Sequence, residues 1–477
     1  MHWIDVTLLV VYFLAMLGVG AWFLHRNEDE HDYYVGGRSM GAGHVGLSVV
    51  ATDVGGGFSI GLGGLGFSMG IAGSWMLFTG LIGAWVAAAL VIPKVHKLGA
   101  THRLLTYPQL FRLKYSRSVA IASAWISAIG YLGFTASQLL AGAKLASATV
   151  APLTLNQALL GMGALAVVYT SMGGMKAVIY TDTVQWAILL LGLTLVGLPV
   201  AYHEVGGWKA MQAALPAEML SLGNLKAVTA VNWAFTIIPI WFVGMTLYQR
   251  IYACRDEQTA RRAWLLAGVL EWPLMAFLGV LLGMFARVAW LQGAFAEAGH
   301  APGSTLDPEL GLPMLLATLL PVGAMGIMLA AYFSAILSTA DSCLMAASGN
   351  VHTDLLPPAA DQKATHRRSQ RVTLVLGAAA ILLAAQMESV LDLMLKSYAF
   401  MVSGLLIPTL AMLFVKRPSS RAALAAMIAG GTVTLALMTW GGRLWLGLDA
   451  NLFGITAALC VFLLLHTLDR RSAAAVG

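Results

Sequence analysis

The chain has 477 residues, of which 59% are hydrophobic and only 10% are charged. An ordinary soluble domain has about 25% charged residues, so this composition excludes a soluble multidomain enzyme and indicates an integral membrane protein. The net charge of +6 does not point to nucleic acid, because the basic residues lie in short loops between apolar runs, where such residues set orientation in the membrane.

Apolar runs near the ~20 residues that a helix needs to cross the hydrocarbon core recur along the whole chain. They predict an all-α polytopic membrane protein with about 13 transmembrane helices. The predicted helices are 4–24, 44–70, 73–93, 118–149, 155–172, 177–201, 230–253, 260–290, 321–349, 371–388, 391–415, 420–441 and 451–468.

Most of the 28 Lys and Arg residues fall in alternate loops, which predicts that those loops are cytoplasmic. With an odd number of helices, the N-terminus is then outside and the C-terminus cytoplasmic. Short loops, the lack of N-x-S/T acceptors and abundant Ala, Gly and Leu favour a bacterial inner membrane.

The second predicted helix contains "ATDVGGG", in which Asp53 is followed by Gly55, Gly56 and Gly57. Three glycines in a row predict a break in the helix, with free carbonyls before it and free amides after it. The alternative is that the glycines only permit close packing. A second break is predicted in "FTIIPIWFVGMTLYQR", where Pro239 removes a donor and Gly244 loosens the chain.

The two interrupted helices open two successive sets of five helices, which is the sequence pattern of an inverted-repeat transporter. The predicted organisation has five parts. They are an extra N-terminal helix and cytoplasmic loop in 1–43, a first five-helix repeat in 44–201, an extracellular connection in 202–229, a second inverted repeat in 230–415, and two trailing helices with the C-terminus in 416–477.

The ninth predicted helix contains "SAILSTADS", in which Ala335, Ser338, Thr339 and Ser342 share one face by their spacing. Hydroxyl oxygens on one face, together with carbonyls of a broken helix, suit a hard cation such as sodium. Serine and threonine hydroxyls also bond to their own helix, which is the alternative interpretation.

Ionisable residues within the predicted helices are few, and such residues are functional candidates by default. Asp182 is interpreted either as an N-cap or as an ion ligand, and Asp341 lies in the ninth helix beside the hydroxyl stripe. Asp392 and Lys396 are spaced for a structural pair. Glu271 has no partner that the sequence identifies.

The chain resembles the sodium/solute symporter family over nearly its whole length. The resemblance rests on five motifs, "YYVGGRSMG", "ATDVGGG", "GGMKAVIYTDTVQ", "YQRIYACRDEQTARRA" and "SAILSTADS". It implies a LeuT-like five-plus-five inverted repeat with broken first and sixth core helices, and symport of a small polar organic solute with sodium.

The resemblance also implies the site residues. The sodium ligands would be the carbonyls of Ala51, Val54 and Ala335 and the hydroxyls of Ser338 and Thr339. A second ion site, found in some members, would use Asp182, Ser338 and Ser342, with Asp341 standing in place of a hydroxyl residue. The solute would bind near Thr52, Asp53, Gly56, Gly57, Gln138, Trp241, Phe242 and Gly244.

"VGGGF" and "TADS" are similar to the choline-transporter branch of this family. Asp53 and Gly244 stand where that branch is expected to have tryptophans, and the loss of two aromatic walls argues against choline itself.

We expect sodium to join the first broken helix to the ninth helix and so to order the solute site, with no cofactor besides the coupling ion. A proton-coupled symporter with Asp53, Asp182 or Asp341 as carrier is the near alternative, and a membrane solute sensor is a more distant one. The sequence has no H-E-x-x-H spacing and no dinucleotide-binding context, which disfavours an enzyme.

Overall fold

The computed structural model describes residues 1–24, 35–150, 153–357, 361–441 and 444–476. Tyr33 and Tyr34 of the first motif lie outside these ranges. The α-helices, numbered α1 to α20 in chain order, are Trp3–Leu24, Ala42–Asp53, Gly56–Met69, Trp75–Leu90, Ile92–His102, Tyr107–Lys114, Arg117–Thr149, Leu155–Leu191, Leu198–Glu204, Gly207–Ala214, Ala227–Val243, Met245–Ala253, Glu257–Val269, Ala276–Leu291, Pro308–Leu319, Ala324–Gly349, Gln362–Ala384, Val390–Phe414, Ser420–Trp440 and Ala450–Val476.

The chain forms an integral membrane protein. Eight helical segments of the described residues are long and apolar enough to cross a bilayer, and there are nine if α11 and α12, which meet at 42°, form one bent span. The prediction of a membrane-spanning, all-α fold is confirmed, whereas the number of thirteen transmembrane helices stays a prediction.

Helix α8 includes the fifth predicted helix and the first part of the sixth. The Tyr169 hydroxyl donates to Thr181 Oγ1 at 3.3 Å although the two residues are twelve apart. Twelve residues of straight helix would separate them by ~18 Å. The chain therefore reverses direction between Tyr169 and Thr181, where the sequence predicts a turn between two helices.

Both predicted breaks occur. The first separates α2 from α3 at Val54 and Gly55, whose backbones are non-helical. The second separates α11 from α12 at Gly244, where ψ is 113°. Each break leaves backbone groups that a membrane interior cannot hydrate, so these groups need partners from neighbouring helices.

Helix α16 lies at the centre of the bundle. In its most apolar 18-residue window, 94% of residues are buried, and it packs against α2, α3, α7 and α8. The start of α16 is fixed by Asp5 of α1, whose Oδ1 accepts from the backbone amides of Gly323 and Gly326 at 2.8 Å each. The hydroxyl stripe of the sequence thus lies on the innermost helix.

The predicted helix 260–290 is interrupted in the structure. Between α13 and α14, residues Leu270–Met275 form an irregular turn in which Trp272 has φ −134° and ψ 125°. Pro273 follows Trp272, and a proline lacks the amide and crowds the carbonyl that a regular helix requires. The turn places Glu271 inside the bundle, where its side chain is fully buried.

Two lysines form ion pairs away from the centre of the helical bundle. Lys144 Nζ lies 2.6 Å from Asp307 Oδ2 and 2.7 Å from Glu309 Oε2. Glu309 also accepts from the first amides of α18, so it ties α15 to α7 and α18. The predicted pair between Lys396 and Asp392 is confirmed at 2.7 Å on an exposed face.

Candidate functional site

The first break and α16 meet through the hydroxyl of Thr339. Its Oγ1 lies 2.7 Å from the carbonyl oxygen of Ala51 and 3.2 Å from that of Ala335. Three of the five predicted sodium ligands are therefore in one place. Val54 lies at the break itself, where its amide donates to the Val50 carbonyl at 2.7 Å, and Ser338 turns toward a neighbouring cluster described below.

Close packing holds this junction together. A Cβ on Gly55 would lie 2.0 Å from Thr339 Oγ1 and 2.6 Å from Gln138 Oε1, so only glycine fits there. A Cβ on Gly56 or Gly57 would also meet neighbouring side chains at under 3 Å. Both interpretations made from the sequence therefore apply. The helix breaks at the first glycine, and all three glycines permit close approach of neighbouring side chains.

Gln138 of α7 satisfies the amide side of the break. Its Oε1 accepts from the backbone amide of Gly57 at 3.2 Å, and its side chain is fully buried. The free carbonyl expected before the break, that of Ala51, has Thr339 as its donor. Both kinds of free backbone group thus find partners, as a break in the membrane interior requires.

A second polar group lies beside Ser48, one turn of α2 before Ala51. We call it the Asp182–Arg250 cluster. Arg250 Nη2 lies 3.2 Å from Asp182 Oδ2, and both side chains are fully buried. The Ser338 hydroxyl donates to Asp182 Oδ1 at 2.5 Å, and Ser48 donates to Oδ2. Arg250 Nη2 also donates to the Ser342 hydroxyl at 2.8 Å.

This cluster determines where the residues of the second predicted ion site lie. Asp182 and Ser342 are brought together, but the guanidinium of Arg250 lies between them. Asp341 is on another face of α16, where its Oδ1 accepts from Thr170 at 2.6 Å. Asp182 does not act as an N-cap, because both its oxygens accept from side chains of other helices.

The eight predicted solute residues lie in three places. Asp53, Gly56, Gly57 and Gln138 line the first break. Thr52 instead donates toward Ser48 O at 2.8 Å and lies 3.1 Å from Ser342 Oγ, so it belongs with the Asp182–Arg250 cluster.

The second break supplies the remaining predicted solute residues. Tyr131 accepts from the Thr246 amide at 3.2 Å, and Tyr248 donates to the Phe242 carbonyl at 2.7 Å, so tyrosines satisfy both ends at Gly244. Trp241 and Phe242 are 1% and 7% exposed. Neither aromatic side chain therefore faces lipid.

Asp53 and Glu271 form a third polar group. The Tyr398 hydroxyl donates to Asp53 Oδ1 at 3.2 Å, and the carboxyl groups of Asp53 and Glu271 contact each other. Gly80 makes room for Glu271, since a Cβ there would lie 2.1 Å from Oε2. We call these two residues the Asp53–Glu271 pair.

Comparison with known proteins agrees with this geometry. Residues 33–430 match the model of the sodium:solute symporter family. The chain belongs to the sodium:solute symporter family. It is accordingly a transporter and not an enzyme, a sodium-coupled symporter of a small organic solute.

The matches to two curated relatives and to one solved structure cover nearly the whole chain. The osmoregulated proline transporter OpuE of Bacillus subtilis is 27% identical, and the match covers 98% of this chain and 95% of that protein. The sodium/proline symporter of Escherichia coli is 29% identical, and the match covers 92% of this chain and 88% of that protein. A Na+-coupled sialic acid symporter in a substrate-bound outward-open state superposes with a TM-score of 0.79 at 20% identity and covers 98% of both chains.

Sequence reasoning on this symporter missed two site residues. Arg250 lies near the end of the predicted helix 230–253, and the sequence groups it with the basic residues of the following cytoplasmic loop, whereas its side chain is fully buried. For Glu271 the sequence identifies no partner. Pro273 is the available signal, because a proline two residues after Glu271 predicts an interruption of the helix there.

Proposed function

We propose that one sodium ion binds between the first helix break and α16. Its ligands are the carbonyls of Ala51, Val54 and Ala335 and the hydroxyls of Ser338 and Thr339. The contact of Thr339 with the Ala51 and Ala335 carbonyls supports the proposal, because it brings three oxygens from two helices within hydrogen-bonding distance. A sodium ion bound between these oxygens would contact lone pairs of the two carbonyls and of the hydroxyl, and the hydroxyl proton would turn away from the Ala51 carbonyl.

Sodium at this position links α16 to the helix that carries the solute residues. Gly57 lies directly after the break and its amide donates to Gln138 of α7, so ordering the break orders the solute site as well. We propose that the solute binds next to Asp53, Gly56, Gly57 and Gln138, with Trp241, Phe242 and Gly244 of the second break opposite and Thr52 behind. Linkage then requires the solute to raise the affinity for sodium by the same factor.

The membrane potential supplies part of the driving force for import by alternating access. Each positive charge that crosses 100 mV contributes about 2.3 kcal/mol, which corresponds to accumulation of nearly fiftyfold. The basic loops favour an external N-terminus and a cytoplasmic C-terminus, and we propose a bacterial inner membrane. The five-part organisation with repeats at 44–201 and 230–415 is part of the same proposal.

A second ion at Asp182, Asp341 and Ser342 requires a rearrangement. Arg250 has to leave Asp182, and Asp341 has to leave Thr170, before these three residues can share a cation. We therefore propose that any second ion binds only in another conformation of the transport cycle.

The experiment is thermal stabilisation of the purified full-length protein by a panel of amino acids, sugars, vitamins, amines and carboxylates, each in sodium and in potassium. Stabilisation by a solute that requires sodium at constant pH supports the proposal. Stabilisation that is the same in sodium and potassium but depends on pH contradicts the proposal and indicates that protons are the coupling ion.

A further inference from the structure

The Asp53–Glu271 pair concentrates negative charge without a cation in contact. Asp53 is 5% exposed and Glu271 is fully buried. Among the described residues, the buried cations belong elsewhere, since Arg250 pairs with Asp182 and Lys144 pairs with Asp307 and Glu309. Burying a carboxylate is unfavourable unless it is paired and hydrogen-bonded.

The pair also has few donors from other residues. Tyr398 donates to Asp53 Oδ1. Apart from the hydrogen bond between the two carboxyl groups themselves, no N–H or O–H group in the described part of the chain donates to Asp53 Oδ2 or to either oxygen of Glu271. The other paired carboxylates differ, because Asp182 and Glu309 each accept from a cation and at least two further donors.

A free donor lies beside these acceptors. The Trp241 indole N–H is buried and has no acceptor among the described residues. Both Trp241 Nε1 and Glu271 Oε2 lie close to Gly80, because a Cβ on Gly80 would lie 3.9 Å from the first and 2.1 Å from the second. Buried polar groups of both kinds that lack partners indicate a place that a polar ligand completes.

We propose that the transported solute is an organic cation with N–H donors, a primary or secondary ammonium or a guanidinium, whose charged group binds at Asp53 and Glu271. This rests on the proposed function, because it names the solute class of the same symport site. The Trp241 N–H then donates to an acceptor on the solute, such as a hydroxyl or carbonyl oxygen.

The number of donors selects among cations. A primary ammonium has three N–H donors, a secondary ammonium has two and a guanidinium has five, so each of them can donate to both carboxyl groups at once. A quaternary ammonium has none and leaves them unsatisfied. Aromatic side chains complete the surroundings, since Tyr398 and Phe134 meet edge to face at 4.9 Å, and such rings favour the apolar part of a small cation.

Charge balance favours a solute with a single positive charge. Two buried carboxyl groups in contact share a proton and carry one negative charge, which a monovalent organic cation neutralises. Sodium orders the break that follows Asp53, and we therefore expect the solute and sodium to bind with positive cooperativity.

The test measures thermal stabilisation of the purified protein in sodium by matched probes. Ethanolamine and 2-hydroxyethylguanidine represent the ammonium and guanidinium classes, choline the quaternary class, ethylene glycol the neutral class, proline the zwitterions and acetate the anions. The variants are Glu271→Gln and the control Asp392→Asn, which removes a carboxylate on an exposed face. We expect stabilisation by ethanolamine or 2-hydroxyethylguanidine only, with apparent affinity at least tenfold weaker in Glu271→Gln and unchanged in Asp392→Asn.

The outcomes separate this inference from the proposed function. Stabilisation of the wild type by sodium alone, relative to potassium, tests the sodium site without any solute. If sodium stabilises the protein but only choline, neutral, zwitterionic or anionic probes add to it, or if no probe does, the cationic solute class is overturned while sodium binding stands. If Glu271→Gln does not fold, the comparison of ethanolamine with choline and ethylene glycol on the wild type decides the question.

Discussion

The Asp182–Arg250 cluster and the Asp53–Glu271 pair lie in the same helical bundle and are equally buried, yet their partners differ. In the cluster, a guanidinium and two serine hydroxyls surround the Asp182 carboxylate. In the pair, a single tyrosine hydroxyl donates to Asp53, and Glu271 has only Asp53 as its partner. A polar cluster with complete partners stabilises the structure, whereas one without them is prepared for a ligand.

The position of each group along α2 explains the difference. Ser48 and Thr52 face the Asp182–Arg250 cluster, whereas Asp53 is the last residue of α2 and faces α18 and the turn after α13. The two groups therefore flank the junction at Ala51 and Thr339. Sodium at that junction would lie between a structural cluster and a ligand site.

The largest effect is expected when the Asp182–Arg250 cluster loses one of its two opposite charges. Asp182→Asn leaves the buried guanidinium of Arg250 without a counter-ion, and we expect a loss of about 3–5 kcal/mol of stability, measured by thermal unfolding in detergent. The double variant Asp182→Leu with Arg250→Met removes both charges and should recover most of that loss. Equal stability of Asp182→Asn and the wild type would contradict the structural role.

A smaller loss is expected at the junction itself. In Gly55→Ala, the new Cβ would lie 2.0 Å from Thr339 Oγ1, so α3 and α16 have to separate, at an expected loss of about 1–3 kcal/mol. Gly161→Ala is the matched control, because an added Cβ there meets nothing within 4 Å. Sodium-dependent solute uptake should fall in Gly55→Ala only. Normal solute uptake by this variant would show that close packing at Gly55 is dispensable.

The ligand site should respond in the opposite direction from the cluster. Without sodium and solute, Glu271→Gln removes a buried carboxyl group that contacts Asp53 and supplies an amide donor for Asp53. We expect the stability to rise by about 1 kcal/mol, measured by thermal unfolding in potassium. A loss as large as that of Asp182→Asn would mean that both groups are structural and would remove the distinction between them.

The smallest effect is expected at the exposed pair of Asp392 and Lys396. Lys396→Ala should cost only about 0.3–0.5 kcal/mol, because both side chains are about half exposed. Thermal unfolding at low and high salt checks this value, which should shrink as salt screens the pair. A loss of several kcal/mol would indicate that exposure is a poor guide to these charges.

The sequence predicts the fold well because hydrophobic length and interruption are local signals. Gly55 and Gly244 each mark a helix break that the structure contains. Thr339 and Ala335 share a helical face by spacing alone, and their meeting with Ala51 required the family resemblance.

Partners from distant helices are harder to predict. Nothing in the sequence around Arg250 indicates that its guanidinium turns inward to Asp182, which lies 68 positions earlier in the chain. The contact between Asp53 and Glu271 depends on the irregular turn at Trp272 and on the missing side chain of Gly80. These are consequences of packing between helices, which composition and periodicity do not encode.

The most direct measurement is equilibrium binding of radioactive sodium to purified wild type, Thr339→Ala and Thr339→Ser. Loss of a hydroxyl that coordinates a cation is expected to weaken sodium affinity about 10–100-fold, so Thr339→Ala should bind far less sodium, while Thr339→Ser should remain near the wild type. Equal sodium binding by Thr339→Ala and the wild type would contradict a sodium site between the first helix break and α16.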